Sequence, residues 1–284
     1  MSFDALYNIM GEILPFTWLE LTFVKRAFLA ILIISPICAA MGVQMINFRM
    51  TFFSDAISHS AFTGVALGLI FSVSPYLTMI LFGILVGISI TKAKRSTELS
   101  VDAVIGVFFS AAVALGIAVI SAMKGLTQNL QSFIYGDILA ISDSELVWFL
   151  GLLIAITAFS AYGYNKLILM GINERVARVS GVPVFAYDYI FAILLALTIT
   201  FSIRAVGILL VTAMLIVPAT AGRNLARSAG GMFWYSIVIS IIAGIAGLVI
   251  SYYLDSATGA TIILVAVGCF ILTQIIKIVR DKIA

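Results

Sequence analysis

Residues 233–254 read FWYSIVISIIAGIAGLVISYYL, an apolar stretch without a single charged residue. A helix rises about 1.5 Å per residue, so this stretch is long enough to cross a hydrocarbon core of about 30 Å. Similar stretches recur along the chain, which is 63% hydrophobic and 10% charged, whereas soluble domains carry about 25% charged residues. The sequence therefore predicts a membrane protein. Its near-continuous apolar runs favour helices over a barrel.

We predict one all-α membrane domain over residues 1–284, a polytopic transmembrane helical bundle of eight to nine spans without a soluble domain. The seventh run is the least regular, because it follows Arg204 almost without a loop and contains Pro218, which we expect to kink or break a helix. Cys38 and Cys269 both lie within apolar runs and are interpreted as small core residues. The candidate spans are residues 19–42, 55–72, 75–93, 102–122, 146–165, 187–203, 205–222, 233–254 and 257–278.

Most of the 16 lysine and arginine residues fall in alternate loops. Cytoplasmic loops of membrane proteins are enriched in these residues, so this bias predicts the orientation of the chain. Lys25 and Arg26, near the outer end of the first span, run against the trend. The net charge of +3 follows from the loops and requires no nucleic-acid partner. The predicted cytoplasmic segments are residues 44–54, 92–101, 166–186, 223–231 and the C-terminus.

The segment SDAISHSAFTGVALG at residues 54–68 places two ionisable side chains within an apolar run. Asp55 and His59, the only histidine, are four residues apart and therefore lie on one face of a helix. An ionisable residue within a span costs about 2.5–3.5 kcal/mol on insertion scales. Two on one face indicate a cavity or a pathway, and carboxylate with imidazole suits Zn²⁺, Mn²⁺ or Fe²⁺.

Asp55 and His59 provide only half of a metal site, so a second copy of the chain or another span has to supply the rest. The alternative is that Asp55 caps the start of the helix and that His59 hydrogen-bonds a neighbour. The residues alone leave both interpretations open. Small residues line the same helix, which lets helix backbones approach closely and leaves room for a passage. They are Ser54, Ala56, Ser58, Ser60, Ala61, Gly64, Ala66 and Gly68.

The loop segment KLILMGINERVARVSGVPV at residues 166–184 contains its own helix start and stop signals. Asn173 is a favourable N-cap and Glu174 falls in the first turn, where the helix dipole favours an acid. Gly181 suits the position just beyond a helix C-terminus, and Pro183 follows it. The sequence therefore predicts a short helix over residues 174–180.

Val176 and Val179 form an apolar stripe on this short helix, flanked by Arg175 and Arg178. Such a helix in water beside the membrane is suited to docking another protein. An ordinary connecting helix that lies on the lipid surface fits the same residues equally well.

The remaining polar segments are less informative. The outer loop 123–145, with Phe133 and Tyr135, fits an aromatic-anchored segment re-entering the interface or a surface for an external partner. Arg95, Glu98 and Asp102 are interpreted as ion pairs of a loop. No nucleotide-binding loop or zinc-protease motif occurs, and a single histidine disfavours an intramembrane enzyme.

Four segments together resemble the permease subunits of manganese, zinc and iron ABC importers. They are DAISHSAFTGVALG at 55–68, DAVIG at 102–106, YGDILAIS at 135–142 and AVGILLVTAMLIVPATA at 205–221. The resemblance extends from about residue 21 to about residue 280, in the same order. One departure is Thr63, which stands where many members have proline before the glycine.

The resemblance implies a type II ABC importer-like fold in a bacterial cytoplasmic membrane. It implies a homodimer, cytoplasmic ATPase subunits that bind and hydrolyse ATP, and an extracytoplasmic metal-binding protein that delivers the ion. Asp55 and His59 match the pathway metal-binding pair, and the segment 173–181 matches the ATPase coupling helix. The matching coupling residues are Asn173, Glu174, Arg175, Arg178 and Gly181.

The expected function is therefore import of Zn²⁺ or Mn²⁺, ahead of Fe²⁺, by alternating access, with the permease itself not an enzyme. One alternative is a secondary transporter driven by an ion gradient, which requires no ATPase. Another is an ABC permease for a larger substrate such as a metal chelate, which gives no reason for Asp55 and His59 to share a face.

Overall fold

The computed structural model describes residues 7, 10–11, 21–121 and 136–283, and these contain helices and no β-strand. The predicted all-α fold is therefore found throughout the described ranges. The helices are α1 Thr22–Asn47, α2 Phe53–Ile70, α3 Pro75–Ser96, α4 Val101–Ser121, a 3₁₀ turn Ile138–Ala140, α5 Asp143–Ile172, α6 Glu174–Val179, α7 Val184–Val206, α8 Ile208–Leu225, α9 Ala229–Leu254 and α10 Thr258–Ile283.

Seven helices of the described chain are long and apolar enough to cross a membrane, namely α1, α3, α4, α5, α7, α9 and α10. Each of the nine predicted runs coincides with a long helix. However, α2 and α8 are not among the seven candidate spans, so the predicted count of eight to nine is not confirmed. The helix α2 contains Asp55 and His59, whose polarity lowers its hydropathy.

Most of the basic residues lie at helix ends that meet at one end of the bundle, here called the basic end. Arg280, near the end of α10, donates to the carbonyl oxygens of Asn224 and Leu225 at the end of α8, at 3.4 and 3.3 Å. Arg95 at the end of α3 contacts Asp188 near the start of α7. The ends predicted to be cytoplasmic therefore come together in space.

The helices α7 and α8 are joined by Gly207 alone, with φ of +92°, as the near absence of a loop predicts. A kink or a break was predicted at Pro218; the helix α8 continues through Pro218 to Leu225, so the break is wrong. Neighbouring helices and hydroxyl groups compensate for proline in membrane helices. The helix α8 packs against α1, α9 and α10.

The helices α1 and α7 are mostly buried and form the centre of the bundle, whereas α4 and α10 are mostly exposed. Both cysteines are free thiols. Cys38 is buried in α1, as expected of a small core residue, whereas Cys269 is only half-buried in α10. Small residues set the helix spacing, because a Cβ added at Gly42 of α1 would overlap the carbonyl oxygen of Leu215 in α8.

Replacement of Gly42 by alanine is expected to destabilise the protein by about 1–3 kcal/mol, the usual cost of overpacking a filled interior. The matched control is Gly151→Ala, since a Cβ there meets nothing within 4 Å, and alanine is favoured over glycine within a helix. Thermal unfolding of the purified protein in detergent provides the measurement. Equal melting temperatures for the two variants would contradict close α1–α8 packing.

Candidate functional site

Asp55 and His59 lie in the first two turns of α2, close to the basic end. Between Phe53 and Ala66, every residue of α2 is buried except Asp55, His59 and Phe62, which are half-buried. Their spacing of four and three residues places them on one face. The predicted pair therefore occupies the one partly open stripe in this part of α2.

The small residues of α2 are all buried. At two of them the neighbouring helix fills the space that the absent side chain leaves. A Cβ added at Gly64 would lie 2.8 Å from the carbonyl oxygen of Thr78 and 2.9 Å from Cα of Met79, both in α3, and one added at Gly68 would meet Pro75. At Gly64 and Gly68, small size therefore serves the contact between α2 and α3.

The side chains of Asp55 and His59 form no hydrogen bond or ion pair with a described residue. No side-chain cap is present at the start of α2, whose N-cap is Phe52, so the alternative in which Asp55 caps the helix is wrong. The His59 ring meets Phe109 of α4 edge to face, with ring centroids 5.0 Å apart. That contact is aromatic and leaves the imidazole without a hydrogen-bond partner in α4.

A complete metal site is not formed within the described part of one chain. Groups of three or more His, Cys, Asp or Glu side chains close enough to hold an ion do not occur there. Asp55 and His59 supply one carboxylate and one imidazole, whereas structural and catalytic zinc sites use three or four protein ligands. Further His, Cys, Asp or Glu ligands at this position therefore have to come from outside the described part of the chain.

Thr63, where the resemblance led us to expect proline, connects α2 to α4. Its hydroxyl group donates to the carbonyl oxygen of Ala112 at 2.8 Å. Proline has no hydroxyl group, so this interhelical bond depends on the threonine. It lies one turn beyond His59 and fixes α2 against the helix that also contributes Phe109.

The helix α6 has the predicted caps. Asn173 Oδ1 accepts from the backbone N–H groups of Arg175 and Val176 at 2.9 and 3.2 Å. Gly181 has φ of +79°, and its N–H donates to the carbonyl oxygen of Arg178. Ser180 is the C-cap, so α6 is one residue shorter than predicted.

The side chains of α6 divide into a buried anchor and an exposed surface. Ala177 is fully buried and packs with Met170 and Val184 of the neighbouring helices. Val179 is 91% exposed and Val176 is 49% exposed, so the predicted apolar stripe faces away from the bundle. Its charged neighbours are Arg175 and the ion pair between Arg178 and Glu174, at 2.6 Å.

The predicted loop ion pair of Arg95 is wrong, because Arg95 pairs with Asp188 of the neighbouring helix α7 at 2.6 Å. Glu98 and Asp102 are exposed. Sequence reasoning missed Asp188 as a partner. The available signal was a single acid at the start of an apolar run, together with two basic residues, Lys94 and Arg95, at the end of another.

The end opposite the basic end also contains ion pairs. Arg26 Nε lies 2.9 Å from Asp143 Oδ1, and Arg204 Nε lies 3.0 Å from Glu145 Oε1. Burial, reinforced by Asp143, raises the pKa of Tyr7 to about 12, so its hydroxyl group stays protonated and donates to Asp143. Arg26 runs against the predicted charge bias, but its positive charge is neutralised by Asp143 at the same end of the bundle.

Most of the polar outer loop lies outside the described residues, including Phe133 and Tyr135. Its last part is described from Gly136 onwards. The N–H of Asp137 donates to the carbonyl oxygen of Arg204 at 3.0 Å, which connects this segment to the end of α7. Neither interpretation of the loop's central residues is tested.

The bundle, with seven described helices long and apolar enough to cross a membrane, defines the class of polytopic membrane proteins. The chain matches the ABC 3 transport family over residues 20–277 and belongs to that family. The resemblance to permeases of metal ABC importers is confirmed, since the relatives of this chain include membrane proteins of zinc and manganese systems.

Two relatives illustrate the match. The high-affinity zinc uptake system membrane protein ZnuB of Haemophilus influenzae is 30% identical over 248 residues, covering 87% of this chain and 95% of that protein. The manganese import system permease protein ScaB of Streptococcus gordonii is 32% identical over 251 residues, covering 88% and 90%.

Two solved structures share the fold. A chain of PsaBC from Streptococcus pneumoniae in complex with Fab has a TM-score of 0.78 at 29% identity, and the match covers 95% of both chains. A metal-chelate type ABC transporter in an inward-facing conformation has a TM-score of 0.69 at 15% identity, covering 88% of this chain and 84% of that one. The second similarity supports the fold alone.

Proposed function

We propose that this chain is the permease subunit of an ABC importer that moves Zn²⁺ or Mn²⁺, ahead of Fe²⁺, into the cytoplasm. The observation that carries the proposal is the half-open stripe of α2, where Asp55 and His59 have no hydrogen-bond or ion-pair partner among the described residues. Ionisable side chains in such positions are costly and are typical of ion pathways. Relatives named for zinc and manganese transport support the same cargo.

A second copy of the chain completes the site in this proposal. Two copies that face each other through the α2 stripe supply two carboxylates and two imidazoles, which is enough for a four-coordinate ion. Phe62 lies on the same stripe and is half-buried, so it would pack at the interface between the copies. Binding at such a shared site is transient, because a transported ion must enter and also leave.

The ligand types leave the choice between zinc and manganese open. Carboxylate and imidazole bind manganese, iron and zinc, and selectivity among them depends on geometry and availability. Thiolates, which would favour zinc, are missing from the stripe, and the two cysteines of the chain lie in α1 and α10. Zinc and manganese are therefore proposed with equal weight.

The helix α6 is proposed as the contact for cytoplasmic ATPase subunits. Its apolar stripe faces away from the bundle, while Ala177 fixes it to α5 and α7. The basic end is cytoplasmic in this proposal, because lysine and arginine favour that side. ATP hydrolysis on the partner then moves α6 and switches the bundle between outward-open and inward-open states. An extracytoplasmic metal-binding protein delivers the ion at the opposite end.

A metal chelate is retained as a second cargo. The chelated iron transport system membrane protein YfeD of Yersinia pestis is 29% identical to this chain, covering 98% of it. Uptake of free ions and of chelated iron by the same complex distinguishes the two cargoes. A gradient-driven secondary transporter is disfavoured, since the family match extends over residues 20–277.

Removal of either pathway ligand is expected to abolish uptake of the transported metal. His59→Ala or Asp55→Ala should lower uptake by at least about 10–100-fold, the range seen when even an outer-shell partner of a metal site is lost. Uptake of radioactive zinc and manganese into cells that express the whole transporter gives the measurement. Asp102→Ala is the matched control, because Asp102 is an exposed carboxylate near the same end.

Normal uptake of both metals by both variants, at wild-type expression, would remove Asp55 and His59 from the pathway. If the variants lose uptake of one metal and keep uptake of the other, the lost metal is the cargo.

Disruption of the α6 stripe is expected to release the ATPase. Val179→Asp places a charge on a side chain that is 91% exposed, so the fold should tolerate it while an apolar interface should not. Copurification of the ATPase subunit with the tagged permease is the measurement. Leu99→Asp is the control, since Leu99 is also exposed at the basic end but lies outside α6. Unchanged copurification of the Val179 variant would contradict the assignment of α6.

A further inference from the structure

Asp188 is a buried carboxylate near the start of α7 that belongs neither to the proposed pathway nor to α6. Only 7% of the residue is exposed. Its Oδ2 atom lies 2.6 Å from Arg95 Nη2 and 3.9 Å from Lys94 Nζ, both at the end of α3. A buried charge is strongly destabilising without its partner, so α3 and α7 are held together at this point.

Arg95 contacts α7 at a second position. Its guanidinium carbon lies 5.1 Å from the ring centroid of Phe185, within the range of a cation–π interaction. Phe185 and Asp188 are three residues apart and therefore share a face of α7. The end of α3 is fixed to the first turns of α7 by one charged and one aromatic contact.

The first turns of α7 are directly connected to α6. The helix α6 ends at Val179 and α7 begins at Val184, so only a capped four-residue turn separates them. A small cavity of about 80 Å³ lies at this junction. Glu174 of α6, Lys94 of α3 and Asp188 of α7 all line it, together with Arg49. Three helices therefore converge around Asp188.

The helix α3 is in turn fixed to α2. A Cβ at Gly64 would lie within 3.0 Å of α3 backbone atoms, and one at Gly68 would meet the Thr78 side chain and the Pro75 backbone. Because packed interiors have little free volume, a displacement of α3 is transmitted to its neighbours. A continuous path of contacts thus runs from α6 through Asp188 and Arg95 to α2.

We propose that Asp188 is a positioning residue that connects the α6–α7 unit to α3 through Arg95, so that movement of α6 reaches the stripe of Asp55 and His59. This inference rests on the proposed function, because it takes α6 as the ATPase contact. Lys94 and Arg49 add positive charge at the same cavity, while Glu174 is engaged by Arg178. Arg95 forms the short contact with Asp188 and is the main partner.

The test uses the whole transporter in proteoliposomes, with its ATPase and its metal-binding protein. ATP hydrolysis and uptake of zinc or manganese are measured together, so that the readout is ions moved per ATP. For Asp188→Asn, which keeps the shape of the side chain and removes its charge, we expect ATP hydrolysis to persist. We expect ions per ATP to fall about tenfold, within the usual size of coupling between two sites.

Two further variants separate coupling from stability. The exchange Asp188→Arg with Arg95→Asp restores the ion pair in reverse and should restore ions per ATP toward the wild-type value. Asp281→Asn is the matched control: it removes a carboxylate at the basic end whose side chain is 60% exposed and pairs with Arg280. It should leave ions per ATP unchanged.

A second readout does not depend on the cargo. Phe71 and Tyr253, both largely exposed, are replaced by cysteine and labelled with nitroxides, in a chain whose own two cysteines have been removed. The distance between the labels reports the separation of α2 and α9 at the end opposite the basic end. Addition of ATP should shift this distance in the wild type and in the exchange variant, but not in Asp188→Asn.

Wild-type ions per ATP together with a wild-type distance shift in Asp188→Asn would overturn the inference. Loss of ATP hydrolysis in Asp188→Asn without rescue by the exchange would also overturn it, because Asp188 would then serve stability alone. If the wild-type complex shows the ATP-dependent shift, Asp188→Asn lacks it and neither metal is moved, the result contradicts the proposed cargo and supports the Asp188 connection.

Discussion

The high free-energy cost of an unpaired charge among apolar helices constrains this structure more than any other interaction. Acidic side chains in the described chain that pair with arginine do so at the two ends of the bundle, as at Asp188 and Asp143. Asp55 and His59 differ, because they form no hydrogen bond or ion pair with a described residue. Ionisable side chains within an apolar bundle are typical of ion pathways, and this contrast is the reason for proposing α2 as the helix that contacts the ion.

A site shared between two copies has a mechanical consequence. If each copy contributes one carboxylate and one imidazole, the geometry around the ion depends on how the two α2 helices face each other. A small relative movement then changes the affinity, since tight binding requires all ligands at once. The close contact of α2 with α3, and of α3 with α7, provides a route by which a movement at α6 alters that geometry.

Local sequence signals predicted much of this structure, and long-range contacts account for most of what they missed. Asn173, Gly181 and the spacing of Asp55 from His59 depend on neighbours within one turn, so their geometry could be read directly from the sequence. The pairing of Arg95 with Asp188 joins residues 93 positions apart, and no periodicity reveals it. Pro218 shows the opposite case, because its local tendency to break a helix is overridden by the packing of α8 against its neighbours. Several helices, such as α5, also extend beyond the apolar run that predicted them.

The most direct test of the central claim is X-ray absorption at the metal edge of the purified, metal-loaded permease complex. If Asp55 and His59 bind the ion, the spectrum of wild-type protein contains oxygen and nitrogen neighbours at about 2.0–2.2 Å for zinc, with the outer-shell scattering of imidazole. The imidazole signal is then lost in His59→Ala. A spectrum without imidazole in the wild-type protein, or one unchanged by His59→Ala, would contradict the assignment of α2 as the metal pathway.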